Sequence, residues 1–373
     1  MHYHLILTDD CNLCCTYCRG KLFEVPAPEH QKNVVIDESL PSELAVDLTD
    51  LYRFLEKDPH AGLTFYGGEP MMRPDLIREI MENASVEVFI IHTNATLLDS
   101  LEPEYTNRFS TIYVSIDGPE RLTDHYRGMG TYRRIIENLC QAREQGYRGE
   151  LIARMTVTEE TDIEEAVTGL ADNEDFSFSS IHWQIDANFW NDYGMRDFGR
   201  WAEESYNPGI RHLVRRWVDL MHRDGRVLRW YPFLGAMQDM LLHRKSPLRC
   251  GSGFANYSIM TDGNIAACPC MVGMKDYYLG NIATTEPSSL RTIDIGNECT
   301  DCDIRDFCGG RCLYSNILQP WPAEGRAIIC NTVQVLHDTL AEVQPEIETM
   351  IRDGEISLSD FEYTKYQGCE IIP

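Results

Sequence analysis

The sequence predicts an α/β fold: an incomplete (β/α)6 TIM-like barrel followed by a second, cysteine-rich region. Three observations carry this. Six short apolar runs with strand patterning alternate with amphipathic stretches over the first half of the chain. The alternation stops near residue 186, where an aromatic, loop-like segment begins. Eight of the 14 cysteines then crowd between Cys250 and Cys330. Buried strands separated by helices form βα units on a parallel sheet, and six units fall short of a closed barrel of eight.

Taken in order, residues 3–7 are the first strand, which ends directly at a cluster of cysteines. The runs 63–66, 86–92, 111–116, 150–157 and 180–185 supply the other five. Helical spacing covers 41–57, 74–83, 131–146 and 161–172, with basic residues and glycine towards several ends. A further helix is expected at 208–224, turns and short strands at 250–330, and a last amphipathic helix at 331–352. The expected divisions are a barrel core at 1–186, a bridging insertion with the last barrel helix at 187–245, a cysteine-rich domain at 246–345 and a C-terminal tail at 346–373. Barrels of this kind place chemistry on the loops after their strands, where the first cysteine cluster lies.

Composition narrows the function. At 373 residues and 43% hydrophobic, the chain can build a large core. Its 33 basic and 59 acidic residues give a net charge of −26, which repels nucleic acid and anionic membrane surfaces. No apolar run approaches the ~18 residues of a membrane span, and MHYHLILTDD lacks the pattern of a signal peptide. A cytoplasmic location is therefore expected. In a reducing compartment, so many cysteines point to metal binding or catalysis rather than to disulfides.

Cys11, Cys15 and Cys18 form C-x3-C-x2-C. Three thiolates on one short loop can hold three irons of a [4Fe–4S] cube and leave the fourth without a protein ligand. A zinc knuckle is the competing reading, but zinc sites add two further ligands and no second C-x2–4-C pair is nearby. Three more motifs fall at successive strand ends. They are Gly67-Gly68-Glu69-Pro70, then Thr93-Asn94-Ala95-Thr96-Leu97-Leu98, then Ser115-Ile116-Asp117-Gly118-Pro119 followed by His125-Tyr126-Arg127.

On these residues the sequence resembles the radical S-adenosylmethionine (radical SAM) superfamily, with Ala95 where that family has a second glycine. The resemblance implies S-adenosylmethionine as cofactor, its amine and carboxylate on the open iron. Gly67, Gly68 and Glu69 would receive the amine, Ser115 and Arg127 the carboxylate, and Tyr17 would pack near the adenine. Arginine suits a bidentate grip on a carboxylate. Asp117 either accepts from the ribose or caps its turn. Asn94 is a ligand or a turn residue, and Arg154 on strand five is a second carboxylate partner or a barrel charge. The implied chemistry is reductive cleavage to a 5′-deoxyadenosyl radical, which abstracts a substrate hydrogen.

The second cysteine field, with Gly263 between Cys250 and Cys268, reproduces the seven-cysteine pattern of the SPASM domain, and Gly280-Asn281-Ile282 is similar to a recurrent step of it. This resemblance implies two auxiliary [4Fe–4S] clusters, hence three in all. Cys250, Cys268 and Cys312 would hold the first, and Cys299, Cys302, Cys308 and Cys330 the second. The first is one ligand short: either Cys270 fills the gap, or the iron stays open for substrate. Cys14, Cys140 and Cys369 read as non-ligands. Pro269 stands where sulfatase-maturing relatives place an aspartate base, which argues against that activity.

The resulting expectation is an oxidoreductase- or lyase-type enzyme that modifies a peptide, a ribosomally made precursor, by crosslinking, epimerisation, decarboxylation or oxidation. A small-molecule substrate and a non-enzymatic electron carrier are the alternatives. The expected partners are the peptide, an electron donor such as ferredoxin or flavodoxin, and a separate leader-peptide-binding protein if the barrel rim or the 187–232 insertion does not serve. The acidic surface would steer in a neutral or basic segment. No catalytic acid or base stands out.

Overall fold

The computed structural model describes residues 1–18, 34–367 and 372–373; Cys369 lies outside them. Strands β1 (His2–Ile6), β2 (Gly62–Tyr66), β3 (Val88–Thr93), β4 (Phe109–Ser115), β5 (Glu150–Val157), β6 (Ser180–Ile185) and β7 (Arg229–Trp230) pair in parallel, each with the next. All six expected strands are present, none displaced at its start by more than two residues. They are legible because both faces of each are buried, which leaves near-continuous apolar runs.

The helices Leu48–Glu56, Pro74–Asn83, Thr131–Glu144 and Ile163–Ala171 occupy the expected stretches. The first starts later than predicted. Asp47 is its N-cap, accepting from the Thr49 amide. Residues before it instead run beside the strand ends, with the Leu44 amide on the Leu7 carbonyl and the Ala45 amide on that of Thr261. Within the segment expected as loop, the helix Phe198–Trp201 continues through the wider turn Ala202–Tyr206 into the helix Asn207–Asp224.

The cysteine-rich region is not a separate layer. Its strand β8 (Asn256–Ile259) pairs in parallel with β1 on the edge opposite β2, and β9 (Asn264–Ala266) and β10 (Tyr278–Asn281) follow antiparallel. The sheet reads β10-β9-β8-β1-β2-β3-β4-β5-β6-β7. The hydrogen-bond ladder thus joins the barrel core expected at 1–186 to the cysteine-rich domain expected at 246–345. The last helix, Ala323–Asp353, begins ahead of 331 and runs through the expected boundary at 345/346. Its apolar stripe of Ile329, Val333, Leu336, Leu340, Val343 and Ile347 is buried in the common core. The tail packs too: Phe361 is fully buried with its ring 6.0 Å from Trp217. No helix among the described residues is long and apolar enough to cross a membrane.

Asn256 ties this seam together. It is buried, its Oδ1 pairs with His4 Nδ1 at 2.8 Å, and its Nδ2 donates to the carbonyls of Cys250 (3.2 Å) and Tyr366 (3.1 Å). Asn256→Ala removes the partner of three polar groups on separate segments, two of them in buried bonds, and each buried group left unpaired typically costs about 1–3 kcal/mol. Denaturant unfolding of the metal-free protein should show a loss in that range or above. A change within about 0.5 kcal/mol, as for an ordinary surface site, would mean that β8 is not anchored through this residue.

Candidate active site

The Cys11–Cys18 loop leaves the end of β1 and is held by the loop after β2. The Gly68 amide donates to the Thr8 carbonyl (2.7 Å) and the Glu69 amide to that of Asp10 (2.8 Å). The two backbones touch so closely that a Cβ at Gly67, whose φ is +145°, would lie 2.3 Å from Thr8 O. One at Gly68 would lie 2.3 Å from Asp10 O. Only glycine permits this approach.

Above these loops lies a cavity of about 320 Å³ at the C-terminal ends of the strands. Cys11, Cys15 and Cys18 line it, together with Tyr17, Gly67, Gly68, Glu69, Asn94, Ser115, Arg127 and Arg154. Of the expected cofactor residues, Asp117 alone does not. It is completely buried, and its carboxylate accepts from Arg127 Nε (2.7 Å) and Nη2 (2.9 Å), from the Tyr17 hydroxyl (2.8 Å) and from the Thr156 amide (3.0 Å). Against the expected roles, Asp117 is turned inward with its oxygens engaged from within, and Arg127 holds it with two of its donors while still lining the cavity. The two act as a scaffold for Tyr17, whose ring centroid lies 5.5 Å from the Arg127 guanidinium carbon.

Asn94 takes the turn role: its Oδ1 accepts from the Thr96 amide (3.0 Å) and hydroxyl (2.6 Å). Its Nδ2 meanwhile reaches Asn12 Oδ1 at 2.8 Å and lies 3.8 Å from Cys11 Sγ. Arg154 contacts His182 Nδ1 and Gln184 Oε1, each at 3.1 Å, neither of them an anion. Glu69 is buried and accepts from the Met71 amide, the Thr93 hydroxyl and the Asn94 amide. Burial nonetheless pushes its carboxyl up to about 7.

Burial also raises the thiols of Cys11 and Cys15, the latter to about 11, so metal binding by them must release protons. The second field forms two groups. Cys250 and Cys268 are buried in an apolar cluster against which Cys270 and Cys312 pack. Cys299, Cys302, Cys308 and Cys330 line a second cavity of about 80 Å³, which Cys312 also borders. Among the described residues no three His, Cys, Asp or Glu side chains converge tightly enough for a single metal ion. The thiols of Cys11, Cys15 and Cys18, and those of Cys299, Cys302, Cys308 and Cys330, instead surround open volume, while Cys250 and Cys268 sit in apolar packing; soft thiolate donors in such surroundings fit iron–sulfur clusters. Cys14 is exposed and lines neither cavity, and Cys140 sits on the helix Thr131–Glu144.

Sequence reading missed the other wall, where Thr156, Gln184, Asp186, Phe189, Trp190 and Tyr314 line the first cavity. A signal existed for part of it. Residues two apart share a strand face, so Arg154 on β5 already pointed to Thr156, and Gln184 faces the same way on β6.

Glu69 gives a pH test. A buried carboxyl raised from its ordinary 4.5 to about 7 keeps its proton longer in the folded than in the unfolded chain. Its contribution is full below the unfolded value and is lost as pH rises through about 7. Metal-free protein should therefore lose stability from pH 4.5 towards 7, and Glu69→Gln should flatten that slope. An unchanged slope would place the effect on other groups.

Residues 5–170 match the sequence profile of the Radical SAM superfamily. A serine-type anaerobic sulfatase-maturating enzyme of Bacteroides thetaiotaomicron is 27% identical over 160 residues, which cover 38% of this chain and 36% of that enzyme. Among solved structures, anSMEcpe with bound AdoMet superposes with a TM-score of 0.68 at 17% identity, over 93% of this chain and 100% of that one. It has also been solved with AdoMet and a Cp18Cys peptide. SuiB of Streptococcus suis, bound to the precursor peptide SuiA, gives 0.53 at 16% identity, over 85% of this chain and 72% of SuiB. The three-cysteine loop after β1 and the strands β2 to β5 thus fall within the stretch that matches the Radical SAM superfamily.

Proposed function

We propose that this chain modifies a peptide, a ribosomally made precursor, using S-adenosylmethionine and three [4Fe–4S] clusters. The observation that carries this reading is one shared cavity: Cys11, Cys15 and Cys18 line it with Gly67, Gly68 and Arg154, and Cys270 reaches it from the second cysteine field. In this reading Cys11, Cys15 and Cys18 hold the first cluster. Cys250, Cys268 and Cys312 hold one auxiliary cluster, and Cys299, Cys302, Cys308 and Cys330 the other. When bound, the first cluster and S-adenosylmethionine supply a one-electron cleavage that yields a 5′-deoxyadenosyl radical for hydrogen abstraction.

The chain's own residues bind, orient and exclude water. The Gly67–Gly68 backbone and the Glu69 carboxyl receive an ammonium group. Arg154, hydrogen-bonded to His182 and Gln184, offers its guanidinium to a carboxylate in the cavity. Ser115 offers a hydroxyl to the same group. Asp117 fixes Arg127 and Tyr17, so the adenine side is rigid before the cofactor arrives. Phe189, Trp190 and Tyr314 form an apolar wall on the substrate side. A peptide is favoured over a small molecule because the similar folds, anSMEcpe and SuiB, bind peptides. Pro269 in place of an acidic residue favours a chemistry other than sulfatase maturation. Electrons come from a small donor such as ferredoxin or flavodoxin.

The test couples iron to product. Anaerobically reconstituted protein should carry about 12 Fe per chain, and the Cys11→Ala, Cys15→Ala, Cys18→Ala triple variant about 8, from three and two four-iron clusters. Coexpressed with a candidate precursor from any short open reading frame found beside its gene, the parent should change the mass of that peptide and the triple variant should not. Iron near 4 per chain, or zinc in its place, would overturn the cluster assignment. Iron-loaded parent that leaves the peptide unchanged would overturn the substrate class.

A further inference from the structure

The first auxiliary group has three assigned thiols, and its fourth position decides what that cluster can do. The stretch after Cys250 offers no other thiol, since it reads Gly-Ser-Gly-Phe-Ala-Asn-Tyr. The Cys-Pro-Cys step does. Cys268 is extended (φ −161°, ψ 167°), and Pro269 opens the tight turn Pro269–Met271, closed by the Met271 amide on the Cys268 carbonyl at 3.0 Å. Proline fixes its own φ and so stiffens the turn. The turn brings Cys270 back beside its neighbour, and the thiols of Cys268 and Cys270 are within hydrogen-bond reach of each other. Cys250 and Cys312 lie close enough to both to influence their charge. Cys270 and Cys312 pack on the same buried cluster as Cys250 and Cys268, walled by Phe189, Leu313 and Tyr314.

Cys270 differs from the other three in one respect. It lines the 320 Å³ cavity, which Cys250, Cys268 and Cys312 do not border. We propose that Cys270 is the fourth ligand of the first auxiliary cluster and the point at which that cluster faces the substrate cavity. This rests on the function proposed above. The cluster then has no open iron for a substrate thiolate, and its role is electron transfer past the Cys270 side of the cavity. The geometry favours this over an open iron, because the thiol that would leave the position empty stands beside it.

The test uses the triple variant lacking Cys11, Cys15 and Cys18 as parent, so that only the auxiliary clusters contribute to the spectra. After mild oxidation the parent should keep about 8 Fe, and added Cys270→Ala should fall to about 7 with the EPR signal of a three-iron cluster, as expected for loss of one ligand. Cys270→Ser, which keeps an oxygen at the position, should retain the iron with a shifted reduction potential. In native, iron-loaded enzyme, iodoacetamide should label Cys270 only after chelation, a result that does not depend on any variant folding. Spectra of Cys270→Ala identical to the parent, or labelling of Cys270 in loaded enzyme, would overturn the assignment. A parent without auxiliary iron would instead overturn the underlying reading.

Discussion

The position of β1 governs the rest of the structure. It is hydrogen-bonded along both edges, to β2 from His2↔Gly62 to Ile6↔Tyr66 and to β8 from His2↔Asn256 to Leu5↔Ile259. The three-cysteine loop leaves its C-terminal end. Through β2 that loop is fixed against Gly67 and Gly68, and through β8 it is fixed against the second cysteine field. A strand paired on one side only could swing; one locked in the middle of a ten-stranded sheet cannot. The separation of more than two hundred residues between the two fields is therefore bridged by a backbone ladder.

Around that frame, the site is braced by one buried ion pair. Asp117 and Arg127 form a buried, bidentate pair, and the remaining Asp117 acceptor capacity is filled by Tyr17 and the Thr156 amide. Such a pair adds little net stability over apolar packing, but losing one partner costs about 3–5 kcal/mol because a bare charge remains. Its value here is positional. It joins the cysteine loop to the ends of β4 and β5, fixing the cavity wall with charge-assisted bonds.

Much of this was legible in the sequence, for physical reasons that also mark where legibility ended. Parallel strands buried on both faces leave apolar runs, so 150–157 and 180–185 were located to the residue. The strand Asn256–Ile259 has no such run: its ladder contacts come from Asn256 and Ser258 as much as from Tyr257 and Ile259. The start of the last helix was hidden because apolar spacing begins only at Ile329, although Pro322 before Ala323 is a usual start signal. Motif residues were found through the family resemblance, and Gly67 and Ser115 do line the cavity, as does Arg154 on β5. The direction of Asp117 was not legible, since whether a carboxylate faces ligand or scaffold depends on a partner ten residues away and on a strand from another βα unit. The wall of Phe189, Trp190 and Tyr314 was equally hidden, because it forms only when the insertion and the cysteine-rich region fold against each other.

The central claim is that the three thiols at the end of β1 support cofactor cleavage in this cavity. The most direct measurement is anaerobic incubation of iron-loaded protein with S-adenosylmethionine and dithionite, following 5′-deoxyadenosine and methionine by chromatography, beside a Cys15→Ala variant matched for auxiliary iron. The account predicts equal amounts of both products from the parent and none above background from the variant. Cleavage at the same rate by both proteins, or no cleavage by fully loaded parent, would contradict it.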